Sequence, residues 1–310
     1  MARPSISKRV MVAAMCAAAL VTVVTACSTS SKSSDSSGGK LEVVATINAW
    51  GSIAAQLGGD KVHETSIISN PDTDPHDYEA TPADARTVAG AKVFIANGIG
   101  YDAWADKLLA ANPGKDRTEL NIGKQLGVAE DGNPHQWYSP DSVAKVVDAI
   151  TDDYKKADPA DAAYFDQQRT TFNTVTLAKY KGLVSDIKSK YAGTPVGASE
   201  SIFSPLSDAL GLKLITPDTF LRAISEGTDP APADKAAIDQ QIATKAIKVY
   251  VFNSQNSTPD VQAQVDAVKK QGIEVSTVTE TLAPADATFQ DWQSAQLQSL
   301  EDALHKATGK

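Results

Sequence analysis

Cysteine is almost absent: the 310 residues contain two, Cys16 and Cys27, so at most one disulfide could form and stability must come from the core. Long apolar runs are missing as well. The run from Val10 to Val24 falls short of the roughly 20 residues needed to cross a bilayer, which argues against a permanent transmembrane helix. No HExxH and no Gly-x-Ser-x-Gly stands anywhere, so two common signatures of hydrolytic sites are lacking. Positive charge is in deficit, with 29 Lys and Arg against 38 Asp and Glu and a net charge of −9, which excludes nucleic acid as a natural partner. An acidic surface suits solubility and a mild attraction of cations. Beyond one short Ser/Gly tract the chain shows no low-complexity segment, no charge block and no close internal repeat.

What is present begins with an export signal. Arg3, Lys8 and Arg9 precede the apolar run, and small residues precede Cys27. Val24-Thr25-Ala26-Cys27 resembles the lipobox of bacterial lipoproteins, which implies a signal peptide over 1–26 and a lipid on Cys27. Cys16 suits that role poorly because Met15 precedes it. With Cys16 removed and Cys27 lipidated, the mature chain has no cysteine pair. Residues 27–40 are mostly Ser, Gly and Lys and have nothing to bury, so they read as a flexible tether with a span of about 20 Å.

From Leu41 onward, β-branched runs alternate with helical patterns, a βαβ rhythm. Strands are expected near 41–47, 62–68, 93–97 and 117–122, with helices near 49–57, 82–89 and 102–110. Gly58-Gly59 and Gly90 stand where left-handed helix caps are wanted. Thr81-Pro82 and Ser139-Pro140 each offer an N-cap followed by proline in the first turn. Phe165, Phe172, Leu183 and Ile187 predict one long helix over 159–191, about 50 Å at 1.5 Å per residue, a rigid spine between two lobes. The rhythm then resumes, with strands near 195–198, 213–215, 249–252 and 273–278 and helices near 202–210, 233–245, 259–271 and 289–307. The expected fold is α/β: an N-terminal lobe over 41–158, the linking helix, and a C-terminal lobe over 192–310, each a mostly parallel sheet flanked by helices. The length exceeds what one core usually holds.

Four histidines occur, in unequal settings. His76 lies in Asp74-Pro75-His76-Asp77-Tyr78 and His135 in Asn133-Pro134-His135-Gln136-Trp137. Both are Pro-His-x-aromatic, both follow an expected strand, and both precede a capped helix. Proline stiffens the backbone around each imidazole, the preorganisation a metal ligand needs. His63 sits in an alternating strand and His305 near a terminal helix end, where neither has company. In open α/β sheets ligands bind beyond the carboxyl ends of the strands, and there stand Glu200, Asn253 and Glu280. Two neutral imidazoles and two carboxylates balance a divalent ion, and mixed nitrogen and oxygen donors suit Zn²⁺ or Mn²⁺ better than Cu⁺ or Ca²⁺. Asn253 is the candidate for steadying those ligands from behind. The segment 112–133 offers only Asp116, Glu119, Glu130 and Asp131 and no histidine, so one ion per chain is expected.

Asp74-Pro75-His76-Asp77-Tyr78-Glu79-Ala80-Thr81-Pro82-Ala83-Asp84 resembles the first histidine motif of the cluster A-I solute-binding proteins, the zinc and manganese receptors of ABC importers. Asn133-Pro134-His135-Gln136-Trp137 resembles the second, Ser199-Glu200-Ser201-Ile202-Phe203 the segment carrying the third ligand, and Thr279-Glu280-Thr281 the fourth. The resemblance runs over 41–310. It implies a monomeric, non-catalytic receptor on the outer face of the cytoplasmic membrane, anchored through Cys27, that holds one Zn²⁺ or Mn²⁺ with His76, His135, Glu200 and Glu280 and delivers it to a membrane permease and its ATPase. Ser139 departs from the aspartate that many members carry, which removes a carboxylate from beside His135. Glu200 matches the manganese branch, whereas Glu280 replaces its usual aspartate. The histidine-rich loop of many zinc receptors is absent. Two other readings are a secreted zinc hydrolase, which would keep a coordination position open for water, and a siderophore or cobalamin receptor of the same architecture, which would need a larger basic or aromatic cleft. A role as a surface adhesin is compatible with transport.

Overall fold

A computed structural model describes residues 39–71 and 75–310; the signal segment, Cys27 and nearly all of the tether lie outside the described residues. Two four-stranded parallel sheets organise the chain. The first is built from β1 (Leu41–Ile47), α1 (Asn48–Gly58), β2 (Val62–Ile68), α2 (Pro82–Gly90), β3 (Val93–Ala96), α3 (Ala103–Ala111), β4 (Thr118–Asn121), α4 (Ile122–Leu126) and α5 (Pro140–Ala157). After α6 (Ala162–Thr171) and α7 (Ala178–Tyr191) come β5 (Pro195–Ala198), α8 (Ser204–Leu210), β6 (Lys213–Leu214), α9 (Asp218–Ser225), α10 (Pro232–Ala243), β7 (Val249–Asn253), α11 (Pro259–Lys270), β8 (Glu274–Val278) and α12 (Phe289–Thr308).

The strand orders are β2-β1-β3-β4 and β6-β5-β7-β8. They are the same topology twice, although the sequence shows no close repeat. In each sheet the chain reverses its direction of travel between the two central strands, and such a switch point opens a crevice at the strands' carboxyl ends. The registers are parallel throughout, Val43 against Val93 and Val196 against Val249 among them.

The expected proline starts hold. Thr81 and Asp84 form a reciprocal capping box ahead of Pro82, and Ser139 accepts from the Ser142 backbone N–H at 3.2 Å ahead of Pro140. Neither expected left-handed cap forms: Gly59 takes φ +50° with ψ −130°, a conformation open to glycine but outside the left-handed helical region, and Gly90 ends α2, from which the chain leaves through Ala91 in an extended conformation. Two short helices, α4 and α9, were not expected, so α4 separates β4 from the His135 loop.

Where one regular helix is expected over 159–191, the chain forms a 3₁₀ turn at Pro159–Asp161, then α6, a π-helical turn at Phe172–Thr176, and α7. The cause is the spacing of buried residues. Phe172 and Leu177 are both buried, yet five α-helical residues would put them about 140° apart. The wide turn, closed by the Leu177 N–H to Phe172 carbonyl bond at 2.9 Å, brings both onto the core side and leaves Val175 68% exposed.

One continuous apolar core reaches through both sheets, from Val43, Trp50 and Trp137 to Tyr250, Trp292 and Leu304. Tyr138 and Trp292 meet at 5.7 Å between ring centroids, and Tyr180 and Phe289 at 6.0 Å. The α1–β2 link is equally tight: a Cβ on Gly58 would come 2.1 Å from a γ-carbon of Val62. Val62 is β-branched and buried, so it cannot step aside. Gly58→Ala is expected to destabilise the protein by about 1–3 kcal/mol through overpacking, read as a lower denaturant midpoint with metal affinity intact. An unchanged midpoint would show that the link gives way freely.

Candidate metal centre

Of the sequence-derived candidates, Glu200, Asn253 and Glu280 stand at strand ends, and the two histidines stand in longer loops. His76 follows β2 within a short 3₁₀ turn, Glu200 follows β5, Asn253 closes β7, and Glu280 follows β8. His135 comes after β4 and α4. Nε2 of His135 lies 3.3 Å from Oε1 of Glu280, and Nε2 of His76 lies 3.8 Å from the same oxygen. Ligand atoms of His76, His135 and Glu280 all lie within 4.8 Å of one another, the spacing from which a single ion can draw three donors. The two imidazole rings are 5.5 Å apart.

Glu200 stands outside that three-donor cluster. It is fully buried. Burial and then the neighbouring Glu280 charge push its pKa well above the ordinary 4.5, against the pull of His135 and of the Asn253 amide. A cation bound between two buried carboxyls would relieve both costs. Asn253 joins them: its amide Nδ2 donates to Oε1 of Glu200 at 2.5 Å and to Oε1 of Glu280 at 3.0 Å.

His135 is oriented by Asn133, whose Oδ1 lies 2.9 Å from Nδ1 and accepts from the His135 backbone N–H at 3.0 Å. A proton on Nδ1 turns the Nε2 lone pair toward Glu280. Ser139 supplies no carboxylate here; an amide oxygen from the other side of the loop does the orienting, and Ser139 serves as a helix cap. Asn133 also donates to the Ser201 carbonyl at 2.7 Å, which ties the His135 loop to the segment after Glu200.

Sequence reasoning missed Asn133 and four further residues, Tyr101, Asp102, Asn256 and Gln255. The Tyr101 hydroxyl donates to Oε2 of Glu280 at 3.2 Å, and its ring meets His76 edge-on at 4.8 Å. Tyr101 is delivered by Gly98-Ile99-Gly100, three residues with φ of 71°, 59° and 72°, of which only the glycines accept that conformation without strain. Buried Asp102 holds the turn, accepting from the backbone N–H groups of Asn97 at 2.6 Å and Gly98 at 2.8 Å. Asn256 donates to Oε2 of Glu200 at 2.8 Å. Gln255 accepts from the Thr281 N–H at 2.9 Å and donates to the Pro71 carbonyl at 2.6 Å, so it braces the Glu280 loop against the chain after β2. The clue was available: Asn97 and Tyr101 follow β3 by the same strand-end rule that marks Glu200 and Glu280.

A cleft of about 590 Å³ opens beside His76 and is lined by Ile99, Tyr101, Pro134, Arg222 and Asn256 among others. His76 has 21% of its side chain exposed, whereas His135, Glu200 and Glu280 have none, so access to the centre runs past His76. His63 and His305 lie on the surface and take no part, His63 against Glu42 and His305 against the Lys310 carbonyl.

Residues 43–303 match the family described as "ZnuA: Zinc-uptake complex component A periplasmic". The chain belongs to this family. It is 28% identical over 128 residues to the manganese-binding lipoprotein MntA of Halalkalibacterium halodurans, an alignment that covers 40% of this chain and 42% of that protein. To the manganese ABC transporter substrate-binding lipoprotein PsaA of Streptococcus mitis it is 25% identical over 270 residues, with 77% of this chain and 84% of that protein covered. The Cd-bound periplasmic metal binding protein from Candidatus Liberibacter asiaticus shares the fold, with a TM-score of 0.71 over 86% of this chain and 100% of that one at 20% identity. No helix among the described residues is long and apolar enough to cross a membrane.

Proposed function

We propose that this ZnuA-family chain is an extracytoplasmic receptor that captures one Zn²⁺ or Mn²⁺ and hands it to the permease and ATPase of an ABC importer. The observation that carries the reading is the convergence of His76, His135 and Glu280 on one point at the strand ends, with Glu200 against Glu280. Two imidazoles and two carboxylates neutralise a divalent ion, so the loaded centre is buried without net charge. Four protein donors fill a tetrahedral shell and leave no open position for a water nucleophile, which separates a receptor from a hydrolase. The relatives, one named as a manganese-binding lipoprotein and one as a manganese ABC transporter substrate-binding lipoprotein, support the same cargo class. Lobes over 41–158 and 192–310 joined by 159–191, with a signal over 1–26 and a lipid on Cys27 at the head of the 27–40 tether, complete a monomer held at the outer face of the membrane.

Calorimetric titration of the mature chain with Zn²⁺ is expected to give one tight ion, because the described residues offer one cluster of at least three histidine, cysteine or carboxylate donors. Loading should raise the melting temperature with the logarithm of free metal. Two tight ions per chain, or full affinity retained in His135→Ala, would place the centre elsewhere.

A further inference from the structure

Each carboxylate of the centre has its Oε2 held by a side chain of its own. Oε2 of Glu200 accepts from Asn256 Nδ2 at 2.8 Å, and that amide also donates to the Ile224 carbonyl at 3.2 Å, so it is held from both sides. Oε2 of Glu280 accepts from the Tyr101 hydroxyl at 3.2 Å, and Tyr101 stands on the φ-positive turn that Asp102 fixes. The two Oε1 atoms share the single Asn253 amide, and that of Glu280 faces both imidazoles.

We infer that Asn256 and Tyr101 set the cargo of this centre by holding Glu200 and Glu280 to one donor oxygen each, which makes a four-donor shell selective for Zn²⁺ over Mn²⁺. This rests on the reading of His76, His135, Glu200 and Glu280 as ligands of one ion. With one oxygen from each carboxylate, the two histidines and two glutamates give four donors, the number a tetrahedral Zn²⁺ takes. With both oxygens free to swing in, the same side chains would give six, nearer the octahedral, oxygen-rich shell that Mn²⁺ prefers. Almost any nitrogen and oxygen site favours zinc to some degree, so the signature of the device is a change in the ratio when a restraint is removed. Asn256 and Tyr101 are positioning residues in this account. They act on the ion only through the carboxylate each one holds.

The test is competition between Zn²⁺ and Mn²⁺ on wild type, Asn256→Ala and Tyr101→Phe, with X-ray absorption at each metal's edge. Wild type is expected to show a four-donor Zn²⁺ shell with both carboxylates monodentate. Each variant should gain a carboxylate oxygen in the Mn²⁺ shell, and its Zn²⁺ to Mn²⁺ affinity ratio should fall by about tenfold or more, the scale typical when a group that orients a ligand is removed. Tyr101→Phe removes one hydroxyl and carries the test alone if Asn256→Ala does not fold. A wild-type shell with two histidines and a bidentate carboxylate, or a ratio unchanged in the folded variants, would overturn the inference while leaving the receptor reading intact. Wild type that binds neither ion would overturn both.

Discussion

Glu280→Gln is expected to weaken metal binding by at least about a hundredfold while making the metal-free protein more stable. The two effects have one cause. Glu280 and Glu200 are both fully buried and share the Asn253 amide, and Oε1 of Glu280 lies 3.3 Å from the His135 imidazole and 3.8 Å from that of His76. A cation neutralises the pair, and removing one charge leaves the loaded centre at +1 in a buried site, at a cost on the scale of 3–5 kcal/mol for a broken buried ion pair, roughly two to four powers of ten in affinity. Without the cation two buried carboxyls must either repel or take up a proton, and above about pH 4.5 either one costs stability, so glutamine at 280 removes a penalty. In a chain of this length each kcal/mol recovered raises the melting temperature by about 2–4 °C. Calorimetric affinity and thermal unfolding of the chelator-treated protein measure both sides. Wild-type affinity in Glu280→Gln would remove Glu280 from the ligand set, and a lower melting point for the metal-free variant would show that the pair is not strained.

The second large effect is on pH. Glu200 has its pKa well above the ordinary 4.5 because it is buried beside Glu280. A carboxyl whose folded pKa is raised keeps its proton in the folded chain where the unfolded chain has lost it. The stability it adds is therefore complete below about pH 4.5 and disappears as pH rises through the raised value. Relative to Glu200→Gln, metal-free wild type should lose stability steadily as pH rises above about 4.5, and the metal-loaded protein should not. Because the ion must displace that proton, loading at neutral pH should release protons, and affinity should climb with pH. Titration in buffers of different ionisation enthalpy counts them. A release of zero, with affinity flat between about pH 5 and pH 8, would contradict a centre built from these side chains.

The sequence was most informative where local rules and tertiary demands agree. The β-branched runs at 41–47, 62–68 and 195–198 are strands with those bounds, and the proline-led caps at Thr81 and Ser139 form as read. The strand-end rule picks out Glu200, Asn253 and Glu280 at the ends of β5, β7 and β8 in the second sheet, because a parallel sheet delivers every carboxyl end to one side. Elsewhere the answer depended on partners far along the chain. The π-turn at Phe172–Thr176 exists because Phe172 and Leu177 must face one core, which periodicity within the helix does not reveal. Asn133 takes over the orienting task that Ser139 vacates, and Asn256 and Tyr101 reach their carboxylates across 56 and 179 positions of sequence. Side-chain pairs of that separation leave no mark on local pattern. The shared core was hidden for the same reason, since Tyr138 and Trp292 meet only once both sheets are assembled.

The central claim is that one divalent ion sits among four named side chains, and anomalous diffraction from zinc-loaded crystals of the chain tests it most directly. The account predicts a single strong peak at the zinc edge, about 2.0–2.2 Å from a nitrogen each of His76 and His135 and from an oxygen each of Glu200 and Glu280. A peak that leaves out His135 or either glutamate, or one seated instead at His63 or His305, would contradict it.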